Sequence, residues 1–216
     1  MIIDYKIARD ALNELQKVEP EIVRRGVFVE ESLEKEGLLF IGINPSFKEG
    51  DASTYIPGDN DYSPTYNEYN NDYFKPFQTI ADALHFNSFG HHDLFPCRET
   101  SQQKIEHIVN SKNEDCITFV NKSLKWSEDI IEAANPSIIV VANAFASRLF
   151  RNFHLLGFHA VDNWSEEFGV DFINLNGEKT PVFFTGMLSG ARALDTGSRT
   201  RLIWHIGFVM SNKNRW

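Results

Sequence analysis

Residues 37–46 read Gly-Leu-Leu-Phe-Ile-Gly-Ile-Asn-Pro-Ser, and this stretch decides the fold. Its apolar run, followed by Gly42 and Ile43, predicts a β-strand that is buried on both faces. Pro45 ends the strand, because proline has no backbone N–H and holds the preceding residue in extended geometry. The amide of Asn44 is therefore expected at the carboxyl end of a buried strand, where open α/β sheets bind their ligands.

The rest of the chain alternates between helical and strand patterns. Apolar spacing predicts helices over residues 3–18, 73–84, 117–134, 144–153 and 200–210, and apolar runs predict strands over residues 89–97 and 137–142. Asn176-Gly177 lies between two apolar runs and predicts a two-residue hairpin turn. Apolar strands that alternate with helices are typical of a largely parallel sheet covered on both faces.

Composition limits the class of protein. The chain has 216 residues, of which 42% are hydrophobic, and we assign residues 1–216 to a single domain. A net charge of −9 argues against indiscriminate binding to polyanions. No apolar run approaches the ~20 residues of a membrane span, so we expect no membrane partner. The two cysteines, Cys97 and Cys116, have dissimilar surroundings, which favours a reducing, cytoplasmic location.

A long polar segment, residues 47–72, separates the first strand from the next helix. Segments of this length are usually functional loops or disordered. We expect this one to be a loop on the active-site side of the domain. Its tyrosines either line a base pocket or fix the loop to the domain. They are Tyr55, Tyr62, Tyr66 and Tyr69.

The sequence Gly42-Ile43-Asn44-Pro45 resembles the first motif of the uracil-DNA glycosylase superfamily. It is most similar to the Gly-Ile-Asn-Pro-Gly of the mismatch-specific uracil and thymine-DNA glycosylase branch. Later segments resemble the same superfamily in the same order, over roughly residues 38–210. The resemblance implies a three-layer α/β/α fold with a four-stranded, mainly parallel sheet. It also implies a monomeric DNA-repair enzyme without a metal or an organic cofactor.

The resemblance gives Asn44 the catalytic role of holding the water that attacks the sugar once the base has flipped out of the stack. An amide orients water but cannot accept a proton, so we expect slower cleavage than with a carboxylate. The structural alternative is an asparagine that caps the turn before Pro45. Residues expected around the substrate are Gly42, Ile43, Pro45, Ser46 and Phe47, with Phe74 or Phe77 as alternative stacking rings that are otherwise core residues.

The segment 91–98, His-His-Asp-Leu-Phe-Pro-Cys-Arg, resembles the family strand that carries a base-reading asparagine, and Asp93 stands at that position. An ionised Asp93 only accepts hydrogen bonds, whereas a protonated one mimics the amide, and both alternatives stay open. His91 and His92 are neighbours on a strand and face opposite ways, so we expect no metal site. A branch of the family binds a four-cysteine iron–sulfur cluster, but this chain has only two cysteines, so we expect no cluster.

Residues 186–192, Gly-Met-Leu-Ser-Gly-Ala-Arg, resemble the second family motif, with Ser189 and Gly190 on its Ser-Gly. Met187 stands where the family has His or Asn, and a thioether cannot donate a hydrogen bond to the departing base. Ser189 and backbone amides near the helix start are expected to bind a phosphate. Ala191 stands where the family has the bulky residue that fills the vacated stack, so Leu188, Met187 or Arg192 would take that role. The structural alternative is a glycine-rich turn between a strand and a helix.

These motifs together predict a DNA glycosylase-like hydrolase that cleaves the N-glycosyl bond of a flipped, uracil-like or damaged base. One alternative is a nucleic-acid- or base-binding module with weak or no catalysis, which the replacement by Met187 favours. Another is a hydrolase acting on a free nucleoside or nucleotide, which the acidic net charge favours. Five cations near the carboxyl terminus form either a DNA-binding face or a solvated surface: Arg192, Arg199, Arg201, Lys213 and Arg215.

Overall fold

A computed structural model describes residues 3–30, 33–47 and 71–216 of the chain. Its strands are β1 (Leu38–Gly42), β2 (Phe89–Asp93), β3 (Ile138–Ala142), β4 (Trp164–Ser165), β5 (Val170–Leu175) and β6 (Glu178–Thr185). Its helices are α1 (Tyr5–Asn13), α2 (Pro20–Arg24), α3 (Asn71–Ala83), α4 (Gln102–Val109), α5 (Glu114–Ala134), α6 (Ala144–Asn152), α7 (Ala160–Asn163) and α8 (Thr196–Ser211). Short 3₁₀ turns lie at Glu14–Lys17, Leu155–Gly157 and Lys213–Arg215.

The strands form one mixed sheet in the order β2-β1-β3-β6-β5-β4. The first four are parallel to one another, and β5 and β4 add an antiparallel edge. The prediction of a four-stranded sheet was therefore wrong, since six strands are present in the described part of the chain. The sheet extends beyond the four parallel strands because of the hairpin at Asn176-Gly177. This hairpin was predicted and is present, and its two residues have positive φ angles of 52° and 87°. It reverses the chain and lets the largely buried β5 pair beside β6.

Alternate residues of each strand enter two different cores, which makes the fold three-layered. Leu39 and Ile41 of β1 pack into the core covered by α1, α2, α5 and α6. Leu38 and Phe40 point the other way, into the core covered by α3 and α8. The α/β/α class predicted from the sequence is confirmed, and the alternation follows from the two-residue period of a strand.

The chain beyond β2 stays attached to the chain beyond β1. Leu94 N–H donates to the Gly42 carbonyl (3.2 Å), Phe95 N–H to Ile43 (2.8 Å), and Glu99 N–H to Pro45 (3.0 Å). Both segments thus run together past the carboxyl edge of the sheet. Among the described helices, none has both the length and the apolar character needed to cross a bilayer.

Candidate functional site at the carboxyl edge of the sheet

Gly42 and Asp93 lie side by side at the carboxyl ends of the paired strands β1 and β2. A Cβ atom added to Gly42 would collide with Oδ1 of Asp93, so a larger residue would displace the carboxyl group. Gly42 continues the face of Phe40, and Asp93 continues the face of His91, because residues two apart on a strand share a face. The missing side chain of Gly42 therefore creates the space that the Asp93 carboxyl group occupies.

Three further side chains, those of Glu30, Tyr73 and His91, interact with this carboxyl group. Ser189 joins them through Tyr73, and we call these five residues the Asp93 cluster. His91 Nε2 lies 4.0 Å from Asp93 Oδ1. Tyr73, in the first turn of α3, is hydrogen-bonded through its hydroxyl to Ser189, which follows β6. Glu30 Oε2 accepts a hydrogen bond from the His91 backbone N–H (3.4 Å) at the outer edge of β2. The cluster thus joins four separate parts of the chain.

Burial shifts the pKa values of the cluster towards the uncharged forms. Burial raises the pKa of Asp93 to about 7. Burial, opposed in part by the His91 N–H and reinforced by Asp93, raises the pKa of Glu30 to about 8. Burial lowers the pKa of His91 to about 4, so its imidazole is neutral at pH 7. Burial also raises the pKa of Tyr73, although 46% of the residue as a whole is exposed.

A cavity of about 10 Å³ adjoins Glu30, His91 and Asp93. Its other lining residues are Phe28, Val29, His92 and Trp126. This volume corresponds to about one water molecule, and the surrounding carboxyl and imidazole groups supply the polar partners that a buried water requires. The cavity therefore fits a water molecule between the two carboxyl groups but is far too small for a nucleobase.

Asn44 is held by its side-chain nitrogen. Nδ2 lies 2.6 Å from the carbonyl oxygen of Glu99, 3.0 Å from that of Pro45 and 3.2 Å from that of Cys97. Its two hydrogens are engaged by these three acceptors, so the amide ties the chain after β2 to the chain after β1. The Oδ1 atom is the part of this side chain to which a water molecule could donate.

A group of ion-paired side chains lies beside Asn44. Glu99 is paired with Arg25 (2.6 Å) and Lys104 (3.7 Å), and its Oε1 accepts from the Ser101 N–H (2.8 Å). Burial acts to raise the pKa of Glu99, but the Ser101 N–H and then the two cations outweigh it, so the pKa lies below its ordinary value. We call Asn44, Arg25, Glu99 and Lys104 the Glu99 corner.

Phe47 also belongs to this corner rather than to the Asp93 cluster. Its ring centroid lies 4.5 Å from the Arg25 guanidinium carbon and 5.4 Å from that of Arg98. Its backbone N–H donates to Thr100 Oγ1 (3.0 Å), and its carbonyl accepts from the same hydroxyl. Ser46 is exposed, whereas Ile43 and Pro45 are buried, and Ile43 packs into the core that α5 covers.

Phe74 forms a wall of the Asp93 cluster. Its ring centroid lies 5.3 Å from that of His91, with the two rings nearly perpendicular, and Phe77 approaches His91 in the same way at 5.5 Å. Both phenylalanines are also buried core residues. His92 faces the opposite side, where its Nε2 lies 2.9 Å from Ser127 Oγ. Ser127 donates its own hydrogen to Leu94 (3.1 Å), so His92 is the donor in that pair.

The second motif forms a closed turn after β6. The Leu194 N–H donates to the Met187 carbonyl (2.8 Å), and Gly190 has a φ of 83°, a conformation that favours glycine. Within this turn Ser189 is buried against Tyr73, Met187 is half-buried, and Arg192 is exposed.

The expected phosphate site at a helix start is not formed by this turn. Helix α8 begins only at Thr196, and its first turn is capped by Asp195, whose carboxylate accepts from the Ser198 N–H (2.9 Å). A carboxylate at that position opposes a phosphate, so Ser189 and the amides of α8 do not combine as predicted.

Several members of the site were missed from the sequence. Glu30 lies in an irregular passage with no motif, so nothing in the sequence indicated it. His91 could have been found, because it lies two residues before Asp93 and so shares its face. Tyr73 could have been weighed as the residue that heads α3. The tyrosines at 55, 62, 66 and 69 lie outside the described residues.

The structure brings Gly42, Phe74, Asp93 and Ser189 together and places Asn44, Pro45, Ser46 and Phe47 in the adjoining Glu99 corner. In residues 3–30, 33–47 and 71–216, no three His, Cys, Asp or Glu side chains are grouped to hold a metal ion. Cys97 and Cys116 are both buried thiols. No family model and no curated protein matches the sequence.

Proposed function

We propose that this protein is a monofunctional, DNA glycosylase-like hydrolase that removes a flipped, damaged base and leaves an abasic site. One observation carries the proposal: three segments that resemble the family motifs in sequence approach one another at the carboxyl edge of a three-layer sheet. They supply Gly42 at the end of β1, Asp93 at the end of β2 and Ser189 in the turn after β6. Such an edge is the general ligand-binding position of open α/β sheets.

The proposed chemistry divides between the two neighbouring groups of residues. Asn44 holds the attacking water through Oδ1, while its nitrogen is fixed by three backbone carbonyls. Asp93 contacts the edge of the base from the other side. Because an amide offers no full negative charge to the developing positive charge on the sugar, the rate is expected to be low.

Contacts to DNA would come from a local basic surface, since the net charge of −9 opposes binding elsewhere. Arg192 and Arg201 are exposed, and Arg199 is half-buried, on the turn and helix that follow Ser189. Their guanidinium groups suit the phosphates on either side of a flipped nucleotide. In this proposal the protein acts as a cytoplasmic monomer without a cofactor.

A base- or nucleic-acid-binding module is the second candidate, and two observations favour it. Met187 supplies no hydrogen-bond donor to a departing base. The Asn44 nitrogen is already engaged within the protein. The net charge of −9 further favours a free nucleoside or nucleotide over DNA as the ligand of such a pocket.

The test uses single- and double-stranded oligonucleotides that carry uracil, hypoxanthine, xanthine or hydroxymethyluracil, each incubated with the protein and then treated with alkali. Asn44→Ala is compared with Asn113→Ala, which removes the N-cap of α5 and so controls for loss of stability. Strand cleavage that is lost only in Asn44→Ala supports the proposal. Specific binding without cleavage supports the binding module. If the protein neither binds nor cleaves the oligonucleotides, a nucleic-acid substrate is rejected.

Assays are run at a temperature where circular dichroism shows both variants to be folded. The Asn44→Ala variant loses three hydrogen bonds within the protein, so this control is necessary. Cleavage that persists undiminished in folded Asn44→Ala would exclude the water-holding role.

A further inference from the structure

We infer that the antiparallel edge of the sheet carries a second binding site, whose ligand is single-stranded nucleic acid. The site is a cavity of about 420 Å³ formed by α7, β4, β5 and the residues after α8, and none of the described residues that line it belongs to the Asp93 cluster or the Glu99 corner. Strand β2, which carries Asp93, lies at the opposite edge of the sheet. The inference stands independently of the proposed function, because it uses neither Asn44 nor Asp93.

Four aromatic residues are among those that line the cavity. Phe168 and Phe172 are buried with their ring centroids 6.0 Å apart, and the half-buried Trp216 lies 5.0 Å from Phe172. Trp164 is 52% exposed and has no ring neighbour in the described part of the chain. A cavity of this volume accommodates a nucleobase, and an indole with an open face is a surface on which a base stacks.

The ring contacts continue from the cavity onto the surface of α8. The Phe168 ring lies 6.2 Å from that of Phe208, and Phe208 stacks on Trp204 with the centroids 5.7 Å apart and the planes nearly parallel. Trp204 is 70% exposed. A series of ring contacts thus leads from Trp216 in the cavity to Trp204 outside it. Two stacking positions on one surface suit successive bases of a strand better than a single free base.

Two lysines lie beside these rings. The Nζ atom of Lys179 is 6.0 Å from the Phe172 centroid, and the Nζ atom of Lys213 is 6.0 Å from that of Trp216. Neither lysine has an ion-pair partner in the part of the chain that the structure describes. Cations next to open aromatic rings are the combination with which single-strand-binding surfaces hold phosphates and bases. This positive charge is local, since the whole chain has a net charge of −9.

The other charged residues of the cavity leave the surface positive. Arg215 is paired with Glu167, so these two charges offset each other. Asp162 is an exposed lining residue, and its carboxylate repels a phosphate but accepts hydrogen bonds from the amino group of a base. Two unpaired lysines therefore face one carboxylate, which favours a base inside the cavity with its phosphates on the lysines.

The outer edge of β5 supplies polar backbone groups to the cavity. Strand β4 pairs with only the first two residues of β5. Phe172 lies opposite Pro181 of β6, which has no N–H, and because antiparallel pairs alternate, Phe172 and Asn174 direct their backbone N–H and C=O groups outward. The Phe172 carbonyl accepts from the side chain of Asn163. The backbone groups of Asn174, which also lines the cavity, supply a donor and an acceptor suited to the edge of a base.

This surface is distinct from the cations that the proposed function assigns to DNA. Arg192 precedes α8 and Arg199 lies in its first turns, whereas Lys213 follows its end. A helix of 16 residues is about 24 Å long, so the two basic surfaces are separated by most of that length.

The experiment measures binding of a labelled, undamaged single-stranded oligonucleotide of about 12 nucleotides by fluorescence anisotropy. Trp164→Ala should weaken binding at least about fivefold, because the stacking of one base is lost. Trp164→Phe keeps a ring and should bind within about threefold of the wild type. Tyr5→Ala is the matched control, since it removes an exposed aromatic side chain from α1, which covers the other face of the sheet. It should bind like the wild type, and circular dichroism checks that each variant is folded.

The lysines give a second readout, which a loss of packing would not reproduce. Combining Lys179→Gln with Lys213→Gln should reduce the slope of log K against log salt by about 1.4, at about 0.7 for each phosphate contact of a single strand. Lys6→Gln combined with Lys17→Gln changes two exposed lysines in or beside α1 and should leave the slope unaltered. An unchanged slope in the first pair, or an unchanged affinity in folded Trp164→Ala, would overturn the inference.

Competitors distinguish a strand from other sources of the same chemistry. A duplex of the same sequence and free deoxyadenosine monophosphate should each compete at least about tenfold more weakly than the unlabelled strand. Equal competition by the free nucleotide would assign the cavity to a nucleotide, and equal competition by the duplex would remove the role of base stacking, so either result would overturn the inference. Absence of binding by the wild type would do the same. Because the probe carries no damaged base and excision is not measured, each of these results leaves the proposed function standing.

Discussion

Asp93 and Glu99 are two carboxyl groups six residues apart in the chain, and they have opposite environments. Their side chains are similarly hidden, with 11% and 8% exposed. Yet the pKa of Asp93 is raised to about 7, whereas that of Glu99 is lowered. Burial alone raises both values, so the difference comes from the neighbouring groups.

The difference separates an ion-paired carboxylate from a carboxyl group that has no paired lysine or arginine among the described residues. Glu99 is held by Arg25, Lys104 and the Ser101 N–H, and its charge fixes the corner in which Asn44 is embedded. The Asp93 carboxyl group lies in the space left by the missing side chain of Gly42, beside the neutral imidazole of His91. The ion-paired Glu99 corner thus surrounds the Asn44 amide, while the Asp93 carboxyl group beside it retains its proton to a higher pH.

Asn44→Asp is expected to give the largest loss of stability, about 3 kcal/mol at pH 7. The substitution replaces an N–H donor by a carboxylate oxygen that faces the carbonyls of Pro45, Cys97 and Glu99. It also brings a second negative charge towards the Glu99 corner. Urea denaturation of the wild type and the variant at pH 7 measures the change in the free energy of unfolding.

Asn113→Asp controls for the general effect of replacing an amide by a carboxylate. Asn113 caps α5 through its side-chain oxygen, which accepts from the Asp115 N–H (2.8 Å), and aspartate fills that role equally well. Its free energy of unfolding should change by less than about 0.5 kcal/mol. If Asn44→Asp were as harmless and raised excision, Asn44 would be a catalytic amide without the structural role described above.

Arg25→Gln is expected to lower the free energy of unfolding by about 2 kcal/mol at pH 7, because it leaves the buried Glu99 carboxylate with only the more distant Lys104. The pKa of Glu99 is lowered in the folded protein, so its contribution is present above the unfolded pKa near 4.5 and is lost as the pH falls through the folded pKa. The deficit of Arg25→Gln should therefore shrink below about pH 4.

Arg24→Gln is the control for that measurement. Arg24 is paired with Glu21, but both side chains are more than half exposed, so water replaces the partner at little cost. We expect a change below about 0.5 kcal/mol at both pH values. Equal effects of the two substitutions would mean that the Glu99 pair is no stronger than a surface pair.

The sequence predicts most of the strands and helices, because the sequence signals for these elements are local. The run from Leu38 to Gly42, the proline at 45 and the Asn176-Gly177 turn each specify their own conformation. Strand β4 was not foreseen, because it has only two residues and its pairing with β5 depends on contacts across the sheet. The helix expected from Thr200 starts at Thr196 instead, where Asp195 supplies the cap.

The site was harder to predict, because its properties depend on residues distant in the sequence. The position of Asp93 at the carboxyl edge could be inferred from its strand, but its raised pKa depends on burial by parts of the chain that are distant in sequence and on the space left at Gly42. The motif predicted Asn44 at the same edge. That its nitrogen binds the carbonyls of Cys97 and Glu99 depends on how the chain returns after β2.

Asp93→Asn is expected to raise the free energy of unfolding by about 1–2 kcal/mol at pH 8.5 and to leave it nearly unchanged at pH 4. The folded pKa of Asp93, about 7, lies above its unfolded value of 3.8, so folding becomes less favourable as the pH rises from about 4 to 7, and the full cost remains above that range. Asparagine fits the same space without a charge, which removes this cost. Water penetration into the adjoining cavity limits the gain.

Denaturation curves at pH 4, 6 and 8.5 give the measurement, with Arg25→Gln as the opposing case. The two substitutions should diverge as the pH rises, since one removes a buried charge that has no partner and the other removes the partner of a buried charge. A gain for Asp93→Asn that is the same at all three pH values would show that folding does not shift the pKa of Asp93, and a gain that still rises steeply between pH 6 and 8.5 would show that the carboxyl group stays protonated in the folded protein. A loss at pH 8.5 would show that the ionised carboxylate has a stabilising partner, and the distinction between Asp93 and Glu99 would then disappear.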